Sequence, residues 1–544
     1  MDRRQFLIGS AGIAAAAGLS ACRGGRADVL GFGGSIVGAS DAVGHLLRDG
    51  GPPAPSSERR VPVVIVGGGL AGLSAGWKLR KAGFTGFEIL EVESEAGGNA
   101  RSGRNSVSAY PWGAHYLPFP TRESSAVREL LEELGVIQGY DAAGRPVYDE
   151  LVVCGAPEER LHINGKWQDG LVPVVGVSRR ELDQFDRFKD VIARYRERRD
   201  TDGRPAFAIP MERSARDADL VALDRLSMRD FLLQQKLDAP ALHWYIDYCC
   251  RDDYGSHASD VSAWAGMHYF ASREGESARA SDTTLLTWPE GLGWIARQLE
   301  GRLSAHLRRG VLAFRVALRG TGAAVDVYDP AERRTTRLVA EDVILACPSA
   351  FARRLMPGLP APIRDAAGAF EYAPWIVANL TLREFPAARA GVPIAWDNVI
   401  YGSPTLGYVV ATHQGLQSHP RATVLTFYHA LAERPAATAR ALLRARGWKG
   451  WAQFIMRDLS RPHPDLPSLV TSLDMMLWGH AMVCPRPGFV WGDARRRVAE
   501  FDSAVRFAHS DLSGFSIFEE AQYRGVLAAE RVLQRQHVRY TSSL

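Results

Sequence analysis

The sequence has little of three things. Cysteine is scarce, with six among 544 residues, too few to scaffold a chain this long with disulfides. An excess of one charge is missing too. Lysine and arginine total 65 against 61 acidic residues, a formal net charge of +4. No basic stripe suited to nucleic acid stands out. Long apolar runs are also absent. The stretch from Phe6 to Ala21 covers 16 residues, short of the roughly 20 that a membrane-spanning helix needs. What is present is ordinary: 46% hydrophobic and 23% charged residues. These values exclude a disordered, collagen-like or polytopic membrane chain. The length is about three times a typical domain and can bury a large core without staples. Function must therefore be read from local motifs.

The first 22 residues read as an export signal. Arg3 and Arg4 form a positive start, and the 6–21 stretch is rich in alanine and glycine. A paired arginine before Phe-Leu suits the twin-arginine route. Leu19-Ser20-Ala21-Cys22 resembles the lipobox of bacterial lipoproteins. That resemblance implies lipidation at Cys22, a periplasmic location and attachment to a membrane through the lipid anchor. Residues 23–60 are rich in Gly, Ser, Ala and Pro and read as a flexible tether, with a short helix around Asp41 to Arg48.

The strongest signal starts at residue 61. VPVVIV (61–66) is a continuous β-branched run, as expected for a strand buried on both faces. Gly67-x-Gly69-x-x-Gly72 follows, then a helical pattern closed by Gly83, then a second apolar run, FEIL (87–90), ending at Glu91. A glycine turn between a strand and a helix, with an acid about 20 residues on, is a dinucleotide-binding pattern. Gly67 permits the tight turn, Gly69 lets backbone approach a pyrophosphate, and Gly72 lets helix and strand pack closely. Free N–H groups at the helix start attract the phosphates. Glu91 can accept hydrogen bonds from a ribose diol and disfavours a 2′-phosphate.

The next residues are Glu91-Val-Glu-Ser-Glu-Ala-Gly97-Gly98-Asn99-Ala-Arg101-Ser102. With GAHYLP (113–118), PEGLGWIARQLEGRL (289–303), DVILACP (342–348) and FAHSDLSGFSIFEEAQYRGVLAAERVL (507–533), this resembles the flavin amine oxidase and phytoene desaturase superfamily. The resemblance implies an α/β fold: a Rossmann-like FAD-binding domain of the GR2 type, interleaved with an α+β substrate domain. It implies FAD as cofactor, held at Gly67, Gly69, Gly72, Glu91, Gly97, Gly98, Asp511 and Phe518. Asn99 stands where the family usually has arginine, and Arg101 is a possible substitute contact. His115 and Tyr116 fall where relatives pass beside the flavin, although a structural role for His115 is open as well. Trp478 and His480 fall near where relatives place active-site groups.

The implied division is 61–125, 286–358 and 491–544 for the FAD domain, with 126–285 (helical) and 359–490 for the substrate domain. Residues 243–270 are dense in aromatics, which reads either as core packing or as a partly aromatic cavity. His243, Cys249, Cys250, His257 and His268 match no metal spacing, and no metal is expected. Two departures limit the substrate. The family's lysine falls at Val377, and its aromatic pair falls at Cys484 and Ile517. The expectation is an FAD-dependent oxidoreductase taking a hydride from a small organic substrate, with O2 or a quinone as acceptor and no nucleic acid partner. A desaturase or isomerase of a lipid-like polyene, or a non-catalytic flavin-binding lipoprotein, is the alternative.

Overall fold

A computed structural model describes residues 30–281, 284–416, 421–432 and 435–544. Arg3, Arg4 and Cys22, on which the export and lipid-anchor expectations rest, lie outside the described residues. Among those that are described, no helix is long and apolar enough to cross a membrane.

Two sheets carry the molecule. The first is five-stranded and parallel throughout, in the order Leu307–Arg308, Phe87–Leu90, Val63–Val66, Asp342–Leu345, Val505–Phe507. Its central strands are buried on both faces, as the β-branched run requires. Val63, Val64 and Ile65 have no exposure at all, each contributing about 1.5–3 kcal/mol by leaving water. The Leu70–Lys81 helix and the Phe518–Arg535 helix pack on one side. A meander of Leu312–Arg319, Gly322–Asp329 and Arg334–Ala340 covers the other.

The second sheet has eight strands. Val470–Val483, Tyr372–Leu382 and Thr423–Ala430 form its long antiparallel centre. One face packs on the Ala436–Ala445 and Gly447–Leu459 helices. The other face turns toward a helical unit that includes Arg179–Glu197, Pro240–Tyr254 and Ala263–Ala271. Local signals start and stop these helices. Ser178 and Glu181 form a capping box, Ser227 caps the Met228–Gln234 helix, Pro240 opens its helix, and Gly255 closes it in the left-handed region.

The flexible tether is overturned over its described part. Ile36–Val37 adds a parallel strand beside Met475 and Met476, and Ser57–Arg60 pairs with Thr336–Val339. The helix expected between them is present, as Asp41–Gly44 and a tighter turn at His45–Leu47. A polar, glycine-rich composition shows only that a segment builds no core of its own. It does not exclude pairing with the open edges of two existing sheets, whose unpaired N–H and C=O groups invite it. Segment 126–285 is likewise not all helix. Glu159–Ile163 and Lys166–Asp169 form a hairpin that extends the large sheet. The Ser125–Glu133 helix buries its apolar face in the core of the parallel-sheet domain. Periodicity reports the type of an element, not the sheet it joins.

Candidate functional site

The cradle forms where the chain leaves the Val63–Val66 strand. Gly67 sits at φ +108°, and a Cβ there would lie 2.6 Å from the Ala346 carbonyl oxygen, so any side chain is excluded. At Gly72 a Cβ would lie 1.9 Å from the Gly67 carbonyl oxygen, which explains the third glycine as a packing requirement. Gly67, Gly69, Glu91, Gly97 and Gly98 line one cavity with the start of the 518–535 helix at Phe518. Glu91 closes the second strand. One carboxylate oxygen accepts from the Gly68 N–H at 2.8 Å, the other from the Glu93 N–H at 2.9 Å. Burial pushes its carboxyl up, and these two N–H groups oppose that.

Two expected contacts fall elsewhere. Asp511 is fully buried and turned away from the cavity, which His509 and Ser510 line instead. Its carboxylate accepts from the Ser349 N–H at 2.7 Å, the Ser349 hydroxyl at 2.9 Å and the Tyr372 hydroxyl at 2.5 Å. Burial alone would raise this carboxyl, but His509, Tyr372 and the Ser349 N–H outweigh it and hold it low. Asp511 thus ties the strand ends to the large sheet. Arg101 lines a neighbouring crevice. It pairs with Glu93 at 3.2 Å and lies over the Trp478 ring at 5.2 Å. The spacing of a motif gives the residue near the ligand, but the rotamer decides which way it points.

The four residues expected at the chemical face divide. Ala114 lines the cradle, and the next two residues enter an aromatic chamber on the inner face of the large sheet. The His115 ring stacks on Tyr428 at 4.5 Å and lies 5.5 Å from Trp396. Its Nδ1 is 3.3 Å from the Gly113 carbonyl, an acceptor only, so Nδ1 carries the proton and Nε2 is a free acceptor. Burial lowers this imidazole to about 4, against the Gly113 bond. Tyr116 sets its ring edge-on to Trp396 at 6.1 Å, and burial pushes its hydroxyl well up. Trp478 serves as a tie, donating from its indole to the Trp112 carbonyl at 2.6 Å. His480 lies in the irregular stretch where the 470–483 strand slips register, and it faces the far end of the cradle cavity.

Composition and motif gave no hint of the carboxylates in the chamber. Asp252 comes from the 240–254 helix and Asp397 from an inner strand of the large sheet. Asp253 is paired with Arg273 at 2.5 Å. Asp252 has neither hydrogen bond nor ion pair among the described residues. Burial lifts the Asp252 carboxyl to about 7, with Asp253 adding to the shift. Asp397 is raised by burial and then by Asp252 and Glu159, while the Asn398 N–H and the Tyr248 hydroxyl oppose. Two carboxyls that repel one another, walled by Tyr116, Tyr248 and Tyr428, hold their protons more tightly than free carboxyls and together carry reduced negative charge near neutral pH. The only forward signal was the aromatic density of 243–270. Val377 and Cys484 also face this chamber. Ile517 instead lines the cradle. His257 accompanies Asp247, and His268 meets the Ala208 carbonyl, so the sequence cluster of His and Cys is dispersed.

Fold and site together define a two-domain protein with a Rossmann-like dinucleotide cradle, opening toward a sheet-based second domain. Comparison places it further. The model of the NAD(P)-binding Rossmann-like domain matches residues 65–134. The peroxisomal N(1)-acetyl-spermine/spermidine oxidase of Bos taurus is 33% identical over 92 residues, 17% of this chain and 18% of that protein. The chain thus spans under a fifth of the length of that relative. Among solved structures, putrescine oxidase bound to putrescine superposes with a TM-score of 0.60 at 17% identity, covering 88% of this chain and all of that one. A CLA-producing fatty acid isomerase from P. acnes superposes at 0.59 and 14% identity, covering 87% and 98%. The fold is the one that putrescine oxidase and the isomerase share. The cradle fits FAD: the glycine turn, the acid at the second strand and the 518–535 helix start face one continuous cavity.

Proposed function

We propose that this protein is an FAD-dependent oxidoreductase that oxidises an organic amine at the carbon beside the nitrogen. The observation that carries this reading is the carboxylate pair Asp252 and Asp397 inside an aromatic chamber reached from Ala114. Bound FAD supplies the acceptor for the hydride. The chain's own residues do the rest. Asp252 and Asp397 attract and orient the ammonium form of the substrate. Asp252, its carboxyl lifted to about 7, takes the proton as the amine is made ready for hydride loss, and neutral His115 accepts an amine N–H at Nε2. Tyr116, Trp396 and Tyr428 exclude water and hold the carbon chain. Val377, in place of a lysine, leaves the amine's charge to the two aspartates.

The reading also includes export by the twin-arginine route with lipid attachment at Cys22, and O2 or a quinone as acceptor. Radiolabelled palmitate entering the wild type but not Cys22→Ser supports the anchor. The deciding experiment for chemistry is anaerobic mixing of the flavin-loaded protein with a panel of amines, diamines and apolar polyenes. Bleaching near 450 nm by amines alone is expected. Bleaching by polyenes alone overturns the amine reading, and a purified protein that takes up no FAD overturns the whole.

A further inference from the structure

The cradle is one end of a larger cavity. Its volume is about 1730 Å3, beyond the roughly 300–1,000 Å3 of an ordinary single-ligand pocket. The glycine turn, Glu91 and the 518–535 helix account for the end already described. The other end is a vestibule built from four widely separated parts of the chain. These are residues 38–48, the Ser349–Leu355 helix, the Ala436–Ala445 helix and the irregular stretch of the 470–483 strand.

The vestibule is cationic, and its arginines differ in whether a carboxylate pairs with them. Three of them are neutralised: Arg48 by Asp49 at 2.6 Å, Arg444 by Asp41 at 3.1 Å, Arg486 by Glu371 at 2.6 Å. Arg353, Arg354 and Arg440 also line the cavity, yet none meets a carboxylate within ion-pair distance among the described residues. Arg440 reaches only the Tyr372 carbonyl, at 3.4 Å. The His480 imidazole lies among them, edge-on to Phe351 at 5.1 Å. The ring lies at the surface; partial desolvation first, then Arg440 and Arg354, push that imidazole down. Arg354 and Arg440, from two separate segments, therefore act on one ring. Guanidinium groups grip carboxylate and phosphate oxygens in pairs. The vestibule's arginines are opposite in sign to the carboxyls Asp252 and Asp397 of the chamber, which lies outside this cavity.

We infer that this vestibule is a second binding site, separate from the nucleotide cradle, for a small organic anion with at least two carboxylate or phosphate groups, held by Arg354 and Arg440 against His480 and Phe351. The inference rests on reading the cradle as the seat of FAD. The anionic groups could belong to a polycarboxylate or a phosphate ester, and the two probes separate these sources.

The test is calorimetric titration of the FAD-loaded protein with citrate and, separately, with pyrophosphate, read alongside the flavin absorbance. Saturable one-to-one binding of at least one probe is expected, weakening with added salt and at least tenfold weaker in Arg354→Gln/Arg440→Gln at unchanged FAD content. Citrate alone assigns polycarboxylates and pyrophosphate alone assigns phosphates. Should that double variant misfold, Ala437→Glu places a carboxylate on the exposed side of the 436–445 helix and is expected to abolish probe binding while circular dichroism is unchanged. No binding of either probe at 10 mM overturns the inference. So does a variant that loses FAD but keeps probe affinity, because the arginines would then serve the nucleotide. Flavin content is measured separately, so a failed cradle shows as a colourless protein and is not confused with a failed vestibule.

Discussion

The cradle and the aromatic chamber meet at Ala114 and His115, yet they are built in opposite ways. The cradle is mainly backbone: glycines, strand ends and a helix start, with Glu91 and Glu93 as charged side chains from the same stretch. Most of it comes from a single stretch, residues 67–98. The chamber is made of side chains from residues 115–116, 245–273, 396–397 and 428. The cradle offers N–H groups that suit any dinucleotide, while the chamber offers a particular sign and shape. Backbone sites recognise what many ligands share, and side-chain sites recognise what distinguishes one ligand.

The comparison is broken most severely by Gly67→Val. A Cβ at φ +108° and 2.6 Å from the Ala346 oxygen requires the turn to open, with strain of about 1–3 kcal/mol before any clash is counted. A protein without the 450 nm band is expected, and retention of full FAD content would show that the cradle tolerates a side chain. Next in size is Asp252→Asn. It removes one charge from the chamber and none from the cradle. A fall of about 10–100-fold in kcat/KM for amines, matching the 1.5–3 kcal/mol of a hydrogen bond to a charged group, is expected at unchanged FAD content. Equal losses for an uncharged substrate would show that the chamber does not read charge.

The same carboxyl gives a pH dependence. Folding lifts Asp252 from its ordinary 3.8 to about 7. The folded state therefore binds this proton more tightly than the unfolded state. Its charge costs stability in full above about 7, and the cost fades as pH falls toward 4. Asp252→Asn is expected to melt higher than wild type at pH 8 and to converge with it near pH 4, by differential scanning calorimetry. The wild type's kcat/KM for amines should decline below about pH 7 as the charge is lost, and a flat profile would remove Asp252 from substrate binding. The smallest effect belongs to Trp478→Phe. It loses the bond to the Trp112 carbonyl, for a decrease of about 1 kcal/mol in denaturant stability, with amine turnover nearly unchanged.

Legibility followed the same division. The 63–66 strand, the 70–81 helix and Glu91 stand where pattern and spacing put them, because a glycine turn admits few conformations. Gly97, Gly98 and Phe518 join them in one cavity. Asp511 and Arg101 are adjacent to the cradle by motif, and packing gives them protein partners, Ser349 and Tyr372 for the first and Glu93 for the second. Asp252 and Asp397 were invisible: they are 145 residues apart in sequence (397 minus 252), and neither belongs to a motif. The 30–60 segment misled in the other direction. Its composition lacks a core, but Ile36 and Ser57 found sheet edges that only the folded molecule presents.

By itself the sequence determined the parallel sheet, the glycine turn and the nucleotide cradle, since local sterics and periodicity constrain residues that are neighbours in the chain. Tertiary structure alone decided the chamber's negative sign, the vestibule's positive one and the docking of the N-terminal segment. Each depends on side chains or edges that come together only when distant segments pack, and electrostatics depends on that distance rather than on sequence separation.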